Sequence, residues 1–246
     1  MRYCGVTHAR GLLQLCVLGE ERGPEPPVML SATFYEPGPP TAVAAALRAL
    51  EEPVVAVAAP LTDPPAPDAE RRCDAELRRR GMRAAAPSGP ERALAGLLPE
   101  LARFSGSGEA IEGTAPEGAF RSAPLFETNI EAVFASLAGR RLPAKRHPLG
   151  VARRVNELIE DHLVDGGGDL WHRRIEELEA GAAALAAHRY AVGLAWWLGE
   201  PGEGVVVLPG AKPLEHFTAE GVMPPVERAA LPPVPAEGSG SGGASP

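Results

Sequence analysis

Residues 53–65, PVVAVAAPLTDPP, hold the stretch that most restricts the fold. Val54, Val55, Ala56 and Val57 form an unbroken apolar run that starts after one proline and stops at another, Pro60. A short run of this kind, bounded by breakers, reads as a strand buried on both faces, and that demands helices above and below the sheet. Sheets so built place their ligands at the C-terminal ends of the strands. At that edge the chain supplies Ala58, Ala59 and Pro60, whose side chains can neither carry a proton nor hold a cation.

The surrounding segments extend this reading. Residues 2–8 and 11–18 read as a hairpin turning near Ala9–Gly11, and 28–35 as a third strand. A helix is expected over 41–52, with Thr41 as its N-cap. A charged helix over 69–81 is stopped by Gly81, and a short helix covers 90–103. A fifth strand at 123–128 precedes helices at 129–138, 148–163 and 172–198, and 204–208 can add a short final strand. In the last helix Ile175, Leu178, Ala182, Leu185, Val192 and Trp196 recur on one apolar face. Trp197 is then left to cover an edge or a partner surface. This order predicts an α/β fold, with a mixed five-stranded sheet (three antiparallel strands, then parallel ones) flanked by helices.

One domain is expected over residues 1–217, with a flexible loop near 105–118. A disordered tail rich in Pro, Gly and Ser follows over 218–246. Length and a hydrophobic content of 45% suffice for a single core. A net charge of −8 argues against tight non-specific binding to nucleic acid or to an acidic membrane. No apolar stretch reaches the length of a membrane span, and the first residues carry no export signal. Cys4, Cys16 and Cys73 are odd in number and widely spaced, which fits reduced thiols and a cytoplasmic location.

Several short pieces occur in a suggestive order. They are Gly5-Val6-Thr7, VAVAAPL at 55–61, RRCDAEL at 71–77 and FETNIEAVFASLAG at 126–139. LPAKR, followed by Arg153 and Arg154, comes next, then HRYAVGLAWW and EGVVVLP. In these pieces, over roughly residues 3–210, the chain resembles the bacterial domain-of-unknown-function family 429, a group of predicted nucleases with an RNase H-like fold. The resemblance implies a two-metal site, in which carboxylates hold two Mg²⁺ or Mn²⁺ ions about 4 Å apart around a phosphodiester. It sets Thr7 and Ala58 where the family has strand aspartates, and Arg189 and Val192 where it has helix acids. Glu127 alone keeps a carboxylate.

Hard divalent ions need charged oxygen ligands, so these replacements predict a catalytically degenerate protein that binds nucleic acid, a nucleotide or a protein partner. No cofactor is expected unless the protein is active. An active metal-dependent nuclease, the alternative, would use Glu127 as catalytic residue, with Mg²⁺ or Mn²⁺ and substitute ligands; His8 and His188, drawn beside Glu127, would turn the oxygen cage into a site suited to Zn²⁺ or Mn²⁺. A third reading gives the work to the acidic tail, as an interaction segment. Arg71 and Asp74, at i and i+3, form an expected helix ion pair. Six arginines lie between Arg71 and Arg83, and six basic residues between Arg140 and Arg154. If the two stretches converge, Arg72, Arg79, Lys145, Arg153 and Arg154 form a phosphate-binding, Arg-rich cleft for nucleic acid or nucleotide.

Overall fold

The computed structural model describes residues 1–21, 28–64, 66, 69–85, 89–101, 103, 125–200, 203–210 and 215–217. The expected loop at 105–118 and tail at 218–246 lie outside them. The chain runs β1 (Arg2–Ala9), β2 (Leu12–Glu21), β3 (Met29–Phe34), α1 (Pro40–Arg48), β4 (Pro53–Val57), α2 (Arg72–Arg79) and α3 (Gly89–Leu97). It continues with β5 (Leu125–Glu127), α4 (Ile130–Ala138), α5 (Pro148–Glu160), β6 (Leu163–Asp165), α6 (Ile175–Ala191), β7 (Ala195–Glu200) and β8 (Gly204–Pro209).

Among the described residues eight strands join one mixed sheet in the order β6-β3-β2-β1-β4-β5-β8-β7. β1, β2 and β3 pair antiparallel, while β4 and β5 follow β1 in parallel, so the α/β class and the mixed sheet are as expected. The count is not: eight strands replace five. β6 extends one edge by pairing parallel with β3, and the β7–β8 hairpin extends the other.

The helix expected over 172–198 stops at Ala191 because Gly193 takes φ 76°, which only glycine adopts without strain. The Gly193 and Leu194 N–H groups close the helix on Tyr190 and Arg189. Trp196 therefore lies on β7 rather than on the helix; it is buried, and its Nε1 donates to the Pro209 carbonyl at 3.1 Å. α1 likewise begins one residue earlier than expected, with Pro39 at the N-cap and Thr41 already inside the first turn.

Two apolar layers sandwich the sheet. One packs α2, α4, α5 and α6 against Tyr3, Ala56 and Phe126; the other packs α1 and α3 against Cys4, Val6, Val55, Val57 and Leu125. α6 is buried on nearly all sides rather than along one stripe. Its alanines let the backbone come close to β1, and Gly5 marks the nearest approach. A Cβ there would lie 2.1 Å from the Ala180 carbonyl oxygen and 2.2 Å from the Ala184 nitrogen. Among the described residues no helix is long and apolar enough to cross a membrane.

Candidate functional site

β4 and β5 end side by side, and the chain leaves β4 through Pro60, Leu61 and Thr62 before entering α2. This is the C-terminal edge of the parallel strands, where the sheet opens to ligands. Glu127, the last residue of β5, is buried there. Its Oε1 accepts from Arg71 Nη2 at 2.6 Å and its Oε2 from Arg71 Nη1 at 2.7 Å. The Leu61 N–H donates to the same Oε2 at 3.0 Å.

Arg71 also holds Asp74, through Nε at 2.8 Å and Nη2 at 2.9 Å, and donates to Thr62 Oγ1 at 3.1 Å. The expected Arg71–Asp74 pair thus forms, as one half of a clasp whose other half is Glu127. Gly204, at the start of β8, closes the space. A Cβ there would lie 2.1 Å from Thr62 Oγ1 and 3.2 Å from Arg71 Nη1, at φ 107°.

Burial works against the charge of Arg71, but its bonds to Glu127 and Asp74 more than offset this, so its pKa rises. Burial lifts the Glu127 carboxyl above the usual carboxylate range, while Arg71 and the Leu61 N–H oppose that lift. Cys73 Sγ lies beside the clasp: Cys73, Asp74 and Glu127 bring ligand atoms within 4.8 Å of one another. Burial pushes the Cys73 thiol up to about 12, so it stays protonated.

This donor set does not fit paired divalent ions. Every carboxylate oxygen of Glu127 and Asp74 already accepts from Arg71, and a guanidinium stands where a cation would. A divalent ion placed 4 Å from that guanidinium meets a repulsion of roughly 8 kcal/mol at an effective dielectric near 20.

The positions singled out by the family resemblance do not gather around Glu127. Strand register puts Val6, Val57 and Glu127 in one row. Thr7 and Ala58 stand one residue further, and alternation turns them to the opposite side of the sheet. Thr7 Oγ1 donates instead to the Glu176 carbonyl, in the first turn of α6, at 3.2 Å. Arg189 and Val192 sit at the other end of the same helix, about 20 Å along its axis from Glu176 at 1.5 Å per residue. Arg189 pairs there with Asp161, and Val192 is exposed. His8 Nε2 accepts from the Gly11 N–H at 3.0 Å, and His188 stands edge-on to Tyr3, at the start of β1. Neither belongs to the cluster around Glu127.

The two basic stretches also separate. α2 packs on β7 and β8 at one edge of the sheet, whereas α5, carrying Arg153 and Arg154, packs against β6 at the other. Arg154 has no exposed surface. It donates to Glu131 at 2.8 Å and to the Pro143 and Gly150 carbonyls at 2.9 Å, with its guanidinium 5.2 Å from the centre of the Phe134 ring. Lys145 pairs with Glu179 at 2.7 Å, Arg153 is half-buried, and Arg72 pairs with Glu76 and Glu200. Arg79 is exposed on α2.

Sequence reasoning missed Leu61 and Thr62, which act partly through backbone, and two further arginines. Arg78 from α2 and Arg92 from α3 line a groove of about 260 Å³ together with Arg71. The excess of arginine between 71 and 83 pointed toward Arg78; no sequence signal marked Arg92. Comparison with protein-family models, with curated proteins and with solved structures found no match for this chain.

Proposed function

We propose that this chain is a catalytically degenerate protein of the RNase H-like fold, related to the family 429 predicted nucleases, and that it binds nucleic acid or a nucleotide without cleaving it. The strand order β3-β2-β1-β4-β5, antiparallel then parallel, supports the fold reading. The observation that carries the functional reading is the Arg71 guanidinium held between Glu127 and Asp74, where a metal-dependent hydrolase needs an ion. With both carboxylates neutralised by a tethered cation, the edge retains a binding surface but not the charge that activates water.

The test is a cleavage assay on single- and double-stranded DNA and RNA with Mg²⁺ or Mn²⁺, beside a binding assay on the same substrates in EDTA. Binding in EDTA and no cleavage in either metal are expected. Mn²⁺-dependent cleavage that disappears in Glu127→Gln would establish the alternative, an active phosphodiesterase built on that carboxylate.

A further inference from the structure

The groove beside the clasp carries a more specific assignment, which rests on the binding reading above. We infer that the groove between α2, α3 and the 60–64 segment receives the terminal phosphate monoester of a nucleotide or of a nucleic-acid strand end, with Arg78 and Arg92 as its ligands.

Three arginines line the groove, and they differ in kind. Arg71 is buried and fully engaged by Glu127 and Asp74, so it forms a fixed wall. Asp74 and Glu70 also line the groove; the oxygens of Asp74 both face Arg71, and those of Glu70 face Arg78. Among the described residues, Arg78 and the half-buried Arg92 are each held by one ion pair. Arg78, 68% exposed, pairs with Glu70, and Arg92 pairs with Asp63, itself 77% exposed. Exposed pairs of this sort contribute little, so a ligand of higher charge density can displace the carboxylates. A phosphate monoester offers two negative charges and three acceptor oxygens to two guanidinium forks arriving from different helices.

The lining also says which part of the ligand is read. Pro60, Pro64 and Ala69 line one part of the groove, and among the described residues no aromatic side chain lines it for a base to stack on. The phosphate is therefore what the groove recognises, and the base projects outward. The small volume favours a chain end over the continuous backbone of a duplex.

Titration calorimetry in EDTA tests this with four probes: inorganic phosphate, adenosine 5′-monophosphate, and a short single-stranded oligonucleotide with and without a 5′-phosphate. The phosphorylated strand or the mononucleotide should bind at least about tenfold tighter than the unphosphorylated strand, with affinity falling as salt rises. Arg78→Gln with Arg92→Gln should weaken that binding about tenfold or more; Arg78→Gln alone should weaken it while leaving the melting temperature nearly unchanged, since Arg78 is exposed whereas Arg92 is half-buried. Which phosphate source binds identifies the ligand. Equal affinity for the two strands, insensitivity to the double substitution, or no binding of any phosphate probe overturns the assignment. Mn²⁺-dependent cleavage would instead overturn the non-catalytic reading, and the EDTA titration would still decide the groove.

Discussion

Replacing Arg71 by methionine isolates the clasp. The substitution keeps an unbranched apolar side chain but removes five hydrogen bonds, two each to Glu127 and Asp74 and one to Thr62. Asp74 is partly exposed, so water can replace its lost partner. Glu127 cannot be rescued in this way. It is 5% exposed and, among the described residues, would keep only the Leu61 N–H. Removing one member of a buried pair costs about 3–5 kcal/mol, because the remaining charge is stranded.

The sign of the pH dependence follows from the same carboxyl. Burial already raises its folded-state pKa, and losing Arg71 removes the main opposing influence. A carboxyl whose folded pKa exceeds its unfolded value contributes full stability below the unfolded pKa and loses it as pH rises through the folded one. The deficit of Arg71→Met relative to the unaltered protein should therefore shrink as pH falls from about 8 toward about 5. Urea unfolding curves across that range give the difference directly. Adding Glu127→Leu should recover part of the loss, since it removes the stranded charge. A single variant within about 1 kcal/mol of the unaltered protein, or a deficit that grows on acidification, would refute the reasoning.

Two further outcomes test the packing around the site. Gly5→Ala should destabilise the fold by about 3 kcal/mol, read as a lowered urea midpoint, because the new methyl meets the α6 backbone rather than a movable side chain. All three thiols are buried, and burial pushes those of Cys4 and Cys73 up to about 12. A disulfide reagent at mildly alkaline pH should label them only at the rate of unfolding; fast labelling of any one would contradict the packing described.

How far the sequence could be read follows from the range of each signal. β4 was legible because Val54 to Val57 are flanked by prolines, and β1 to β3 because their runs are separated by turn residues. β6, three residues long, carries no periodic signal, and β7 was hidden by the apolar run Ala195 to Leu198, which continues the helical period beyond Gly193. The Arg71–Asp74 half of the clasp is local and could be read from spacing. The Glu127 half spans 56 residues and depends on how β5 and α2 meet. The side of the sheet on which Thr7 and Ala58 fall is set by register with Glu127, which pairing alone fixes.

The central claim is that a guanidinium occupies the cation position at the end of β5. Titrating the protein with Mn²⁺ while following the electron paramagnetic resonance of the free ion tests it most directly. The account predicts no site of sub-millimolar affinity that depends on Glu127. Two ions bound in that range, and lost together in Glu127→Gln, would contradict it.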